Sequence, residues 1–568
     1  RPRHPSVPKK TATGRLTAFS AGLGFVWYLF LGGGLTLDPT NLEWIKGDLA
    51  QHMLGWLFFR DEPLRLPLGS ISDLLYPIGT TVGFTDANPW VSLALRPISP
   101  WLPDDFQFIG WWMLSSFVLQ GALGFKIMET LTPNPAWRVL GAAIFIVSPV
   151  LVRRMGHDTL TAHWMLLGLI WLHLRPRSSH RNTLAWAWSF NFIAAGVHPY
   201  LAIMVLVLTV SLLARLLLES PRLAPRAAAL AGTAFTGQTL AVFALLGYLG
   251  SGATLSGGGF GTFSTDLLAF VNKMAGAGLL PALPFTPAQH EGYGYLGAGM
   301  IALVVLLVVA AVRRRAMPVI PGPLWPIVVL AGVMFGFALS DHITAAGELI
   351  MTMRGFYSPL EFIVAPLRSS GRFVWPLYYL VMTGILALAV GGRFLRPALV
   401  APVLVAVVAL QAYAIRQIVY FVEHGWRRME SPAWSGLDPS YRHVVMYPGF
   451  YPVGPPECQP SAEPFPYDDF LRIAYLAYRK GMTISSGYVA RAPIDDMRAA
   501  CEALDRTISA GQFASGTVYV VTRGAIEPFL RDGANATCGV LDGLRICVAN
   551  TTRTRFHQRL QEESEANR

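Results

Sequence analysis

Apolar residues recur in this chain in runs close to the length that crosses a lipid bilayer, and that repetition excludes most folds. Eleven runs read as spans: 16–37, 107–128, 137–152, 160–174, 183–197, 199–218, 227–250, 296–312, 324–340, 373–391 and 397–422. A helix needs roughly 17–25 apolar residues to cross the hydrocarbon core, so 160–174 and 183–197 are short. Of 568 residues, 53% are hydrophobic and 14% charged, whereas a soluble domain carries about 25% charged residues. A soluble enzyme with one unusual segment is therefore excluded. The 16 Trp and 19 Tyr suit the aromatic belts of membrane interfaces. The first residue is Arg1 rather than Met, and we read no cleavable signal peptide. The expectation is an α-helical polytopic membrane protein with about 11 spans, followed by a soluble remainder.

The charges give the expected orientation. The connections 1–15, 126–138, 175–181, 215–226, 313–315 and 393–396 hold 18 Lys and Arg against two acids, Glu129 and Glu219. The connections 38–105, 153–158, 251–295 and 341–372 hold 10 Lys and Arg against 15 acids. Basic short loops face the cytoplasm, so the N-terminus is expected inside and the C-terminus outside. The formal net charge of +11 then reports topology rather than nucleic-acid binding, which needs a basic face on a soluble module.

Three domains are expected: a cytoplasmic N-terminus at 1–15, a membrane domain at 16–422 and an extracytoplasmic domain at 423–568. All four cysteines, Cys458, Cys501, Cys538 and Cys547, fall in the last of these, as disulfides do on the oxidising side of a membrane. Four cysteines allow three pairings, and the sequence does not choose among them. Zinc lacks support, because no CxxC spacing is present. Segments 442–447 and 516–523 read as strands, and 467–480 and 494–510 as helices with acidic first turns. Segment 538–548 reads as a hairpin turning at Asp542-Gly543, and 448–466, with seven prolines, as a connector. The tail is thus α/β or α+β.

Long loops tend to carry function, and the long ones here are expected on the outer side. In the first, the stretch 41–60 fits an amphipathic helix lying along the membrane surface, with Leu42, Ile45, Leu49, Met53, Trp56 and Leu57 at helical spacing. Asp48, Gln51 and His52 share a face at i, i+3 and i+4. A carboxylate at the edge of an apolar cavity can act as general base on a hydroxyl; the alternative is a solvated polar face. Further along the same loop, Asp86 and Asn88 sit in a turn-rich stretch, either as an Asx-type turn or as acceptor-binding residues. In RRMGHDTLTAHW, 153–164, His157 and Asp158 suit sugar hydroxyls or a metal. Arg153 and Arg154 run against the positive-inside trend, which calls for an anionic partner, either Asp158 or a lipid phosphate. His163 reads as a packed core histidine. In PLRSSGRFVWP, 366–376, Arg368 and Arg372 stand four residues apart, and guanidinium groups match phosphate oxygens bidentately; ordinary anchoring of a span end is the alternative. His198, His290, Glu291, Tyr293 and Tyr295 are weaker candidates. The Gly-rich stretch 250–261 looks mobile and lid-like. It lacks the strand–loop–helix setting of a nucleotide site.

A first span, an acidic residue and a helix in the first outer loop, many further spans and an outer C-terminal domain together resemble the GT-C superfamily of integral-membrane glycosyltransferases. The likeness covers the layout of the membrane domain and is specific in only a few short segments. It implies transfer of a sugar from a polyprenyl-phosphate carrier to a hydroxyl of a glycan or lipid acceptor at the outer face of the cytoplasmic membrane. It implies that Asp48, with Asp38 as competitor, is the catalytic base, and that Arg368 and Arg372 bind the donor phosphate. His52, Asp86, His157, Asp158, His198 and Tyr293 are the substrate-binding candidates. The implied reaction is inverting and needs no cofactor; no metal ligand set is read, although a divalent metal is left open because some members use one. Nucleic acid is not an expected partner. An O-antigen ligase or polymerase is the enzymatic rival, and a lipid or saccharide transporter the non-enzymatic one, which should show repeated halves and broken spans.

Overall fold

The computed structural model describes residues 9–175, 180–219, 224–249, 259–276, 278–416, 421–422, 428–452, 454–455, 458, 464–550 and 554–566. The lid-like 250–258, and parts of the connector 448–466, lie outside the described residues. The chain forms two compact units. One comprises Arg1–Pro39, Phe108–Val242 and Gly257–Val422; the other comprises Thr40–Gln107, Phe243–Ser256 and Glu423–Arg568. Most of the segment 38–105 therefore falls in one unit with the tail, whereas the sequence places it with the membrane domain.

The first unit is helical. Among the described residues, five segments are long and apolar enough to cross a membrane: Pro135–Gly156, Pro199–Glu219, Pro225–Leu246, Ser370–Val390 and Pro397–Ile415. This corrects the expected eleven. Helices stand at the other six places but are too short or too polar. Trp164–Leu174 has 11 residues, which at 1.5 Å per residue reaches about 17 Å of a core roughly 30 Å thick. Trp325–Ala338 has 14 residues and Ala298–Arg314 has 17. Lys9–Phe30 and Ile109–Leu131 are long enough but interrupted by Ser, Thr, Gly, Gln and charged residues. These two pack backbone to backbone: a Cβ on Gly24 would stand 2.1 Å from the Phe117 carbonyl oxygen, the close approach that small residues permit.

The second unit is built on a five-stranded mixed sheet. Its order is Thr483–Ile484, His443–Tyr447, Thr517–Val521, Leu544–Ala549 and Ala536–Leu541. The first three strands are parallel and the last two antiparallel. The helices Tyr467–Arg479 and Ile494–Ser509 stand where expected, and the hairpin turns at Asp542-Gly543, both at positive φ. Disulfides join Cys458 to Cys501 and Cys538 to Cys547.

The expected surface helix at 41–60 is corrected in both extent and environment. It runs from Asp48 to Arg60, and every residue from Leu49 on is buried. Its polar residues Gln51, His52 and Arg60 are buried along with the apolar ones, which a helix lying in the interface, with its polar face in water, would not show.

Candidate functional site

In the second unit, Gly47 at φ 54° opens the helix Asp48–Arg60. Asp48 lies in its first turn, where a carboxylate complements the positive end of the dipole. One turn on, Gln51 and His52 are buried at 6% and 1% exposure. The helix packs directly on the turn that follows: a Cβ on Gly55 would stand 2.1 Å from Thr85 Oγ1. Asp86 and Asn88 both adopt left-handed backbone, φ 55° and 48°, a conformation that Asp and Asn tolerate best among residues with side chains. His52 and Asp86 each offer a ligand-type atom within 4.8 Å of the other. Asn88 is fully buried, and neither of its amide atoms has a partner among the described residues.

The tail holds this helix. Tyr467 Oη donates to the Gly47 carbonyl at 2.8 Å, Phe58 meets Tyr478 edge-on at 6.0 Å and Tyr475 donates to Asp105. Burial, and then the Asp48 carboxylate, push the Tyr467 phenol up from its ordinary value. At the far end Arg60, 6% exposed, donates from Nε to Ser99 Oγ at 2.9 Å. Its Nη atoms donate to the carbonyls of Ser99, Leu102, Pro103 and Asp104 at 2.7–3.1 Å.

In the first unit, chemistry gathers at the ends of three candidate spans. Helices beginning at Pro149 and Pro199 and the 3-10 turn Pro287–Gly292 each use proline, whose fixed φ suits a first helical position. That last turn carries His290 and Glu291. It is anchored through buried Gln289, whose Nε2 donates to Thr344 Oγ1 at 2.7 Å; Thr344 in turn donates to Asp266 at 2.8 Å. Glu291 Oε2 accepts from Arg154 Nη1 at 3.1 Å and from Arg372 Nε at 2.7 Å. Arg154 also donates to the carbonyls of His290 and Glu291 at 2.8 and 3.2 Å and lies 5.1 Å over Trp375. Arg372 lies 4.8 Å over Tyr200. The Tyr200 hydroxyl accepts from Ser369 N at 2.9 Å. Burial pushes the Glu291 carboxyl up, but Arg372, Arg154 and His290 outweigh it and hold the group well below the usual carboxylate range. The hydrogen bond to Glu291 raises the His290 imidazole above its ordinary value.

The other candidates border this cluster. His157 and His198 meet edge-on at 5.5 Å, and His198 faces Tyr200 at the same distance. The backbone oxygen of fully buried Asp158 accepts from Trp112 Nε1 at 3.1 Å. His163 is packed as expected, with its Nδ1 2.8 Å from the Tyr379 hydroxyl. Tyr293 is buried beside Tyr295. Arg368 lies over Phe263 at 5.9 Å. It does not share a helical face with Arg372, because Ser369 at φ −85°, ψ 56° breaks the helix between them.

Thus Asp48, His52 and Asp86 belong to one unit, and His157, Asp158, His198, Tyr293, Arg368 and Arg372 to the other. The anionic partner called for by Arg154 is Glu291, and it also takes Arg372. Tyr200 carries no sequence signal because the partners that tie it to the cluster, Ser369 and Arg372, lie far along the chain. Glu291 carried one signal, a lone acid in a Gly- and Tyr-rich stretch just before an apolar run. No curated protein matches the chain. Residues 21–416 match the domain of unknown function DUF6311 and residues 433–549 match its C-terminal domain; the chain belongs to the DUF6311 family.

Proposed function

We propose that this protein is a membrane glycosyltransferase that moves a sugar from a polyprenyl-phosphate carrier to a hydroxyl of a glycan or lipid acceptor. In this reading Asp48 takes the acceptor proton, and the hydroxyl oxygen attacks the anomeric carbon with inversion. The carrier phosphate leaves against Arg372, with Arg368 nearby in sequence. Preorganised cations stabilise charge that develops on a leaving group. The carrying observation is the pair of buried guanidiniums, Arg154 and Arg372, that both bond the Glu291 carboxylate at the ends of candidate spans. Guanidinium donors match the oxygens of a lipid phosphate. The two tail disulfides suit an extracytoplasmic face of the cytoplasmic membrane.

The test is Asp48→Asn, assayed for sugar transfer from a polyprenyl-phosphate donor in detergent or proteoliposomes. The reading expects normal insertion and a loss of about 10²–10⁴ in rate, the usual worth of a general base. Full activity removes Asp48 from that role. Arg372→Ala should weaken donor binding more than acceptor binding.

One observation favours the transporter. The segment Pro135–Gly156 is broken: helix Pro135–Ile146 stops, and Pro149–Arg153 restarts after Val147 and Ser148, as in discontinuous transporter helices. Saccharide or lipid flux through proteoliposomes without any transfer product would select that reading.

A further inference from the structure

The second unit encloses a cleft of about 440 Å³, within the range of roughly 300–1,000 Å³ typical of small-molecule sites. Its lining mixes two kinds of surface. Ile71 and Phe84 are apolar, while Arg65, Thr80, Arg491 and Asp496 are polar. The charges are close to balanced. Arg65 is already paired to Glu62 at 3.1 Å, and Asp496 offsets Arg491. Thr80 Oγ1 is shielded from solvent and has no hydrogen-bond partner among the described residues. A buried polar atom left unsatisfied signals a missing ligand group or water.

From these features we propose that the cleft is a saccharide-binding subsite that takes a neutral sugar chain. Guanidinium and carboxylate groups offer planar donors and acceptors that match adjacent hydroxyls, Thr80 adds one more, and Pro77 and Ile78, also in the lining, present apolar surface to the C–H faces of the rings. Charge balance selects a neutral sugar over an acidic one. The placement ties the cleft to the acceptor end of the proposed reaction. Phe84 lines the cleft, Asp86 follows two residues later, and Ala490 N, next to Arg491, donates to the Phe84 carbonyl at 2.7 Å. The choice of a sugar rests on the glycosyltransferase reading; the existence of the cleft does not.

The experiment is calorimetric titration of the full-length chain in detergent with maltotriose, cellotriose and trigalacturonate. No donor is present, so binding is read whether or not the protein transfers sugar. At least one neutral trisaccharide should bind. Thr80→Val and Arg491→Gln should each weaken it about tenfold or more, equivalent to 1.4 kcal/mol. Should Arg491→Gln misfold by circular dichroism, Thr80→Val decides alone. The proposal is overturned if neither neutral sugar binds up to about 10 mM, a limit near 3 kcal/mol. It is equally overturned if trigalacturonate binds more tightly than both, or if the variants bind like the parent. Localised binding in a protein without transfer activity would sink the enzymatic reading and leave the cleft standing.

Discussion

Arg372 Nε donates to Glu291 Oε2 at 2.7 Å, and that same oxygen receives Arg154. One carboxylate thus serves two guanidiniums contributed from opposite directions along the chain, 81 and 137 residues away. Arg154, Arg372 and Glu291 side chains are 5%, 11% and 13% exposed, so water screens them little. Removing one member of a buried ionic group leaves uncompensated charge, which costs more than the group contributes net.

Glu291→Gln should therefore destabilise the first unit by about 3 kcal/mol, the lower end for breaking a buried pair. Thermal unfolding in detergent measures this. An unchanged midpoint would show that the arginines find other counter-charges.

The pH dependence follows from the same carboxylate. Its pKa in the fold lies well below the ordinary 4.5, so as pH falls the unfolded chain takes up the proton first. The stabilisation is complete above pH 4.5 and is lost as pH falls toward the folded value. His290 works in the opposite sense. Its raised pKa gives stability below 6.5 that fades as pH rises through the folded value, and its half-exposed ring makes this arm small. Unfolding midpoints between about pH 3 and 8 should fall on the acid side, and Glu291→Gln should flatten that slope.

Arg60→Met should loosen the segment 96–107. It removes one donor from the carbonyls of Ser99, Leu102, Pro103 and Asp104; Ser99, Pro103 and Asp104 keep Leu102 N, Phe106 N and Tyr478 Oη, which leaves Leu102 short, and a buried unsatisfied group costs about 1–3 kcal/mol. Limited proteolysis should then cut within 96–107 faster than in the parent. Equal cleavage rates would show that water replaces the guanidinium.

The two disulfides should differ in worth. Cys458–Cys501 spans 43 residues and Cys538–Cys547 spans nine. Loop-closure entropy makes the longer bridge more stabilising by about 1.4 kcal/mol. Paired Cys→Ser variants compared by denaturant unfolding check this, and an equal loss would point to enthalpic control.

Much of the fold was legible because it is local. The tail's strands, its two amphipathic helices and its hairpin follow from periodicity and turn chemistry, as at Asp542-Gly543. The membrane helices were found in place, but counting them as spans failed where Trp164–Leu174 proved too short. The candidate site was legible only in pieces. Arg154 stands out against the expected charge trend and Arg372 for its spacing from Arg368, yet nothing nearby in sequence names Glu291 as their partner.

Helices apolar enough to cross a membrane and a cysteine-bearing tail of helices and strands can be read from the chain alone, since hydropathy, spacing and turn residues act over a few residues at a time. Burial of the helix Asp48–Arg60, the grouping of the segment 40–107 with the tail, the pairing of the cysteines and the bonding of Glu291 to two arginines emerge in the folded chain alone. Those outcomes depend on contacts between residues far apart in the chain, whose energies no local pattern encodes.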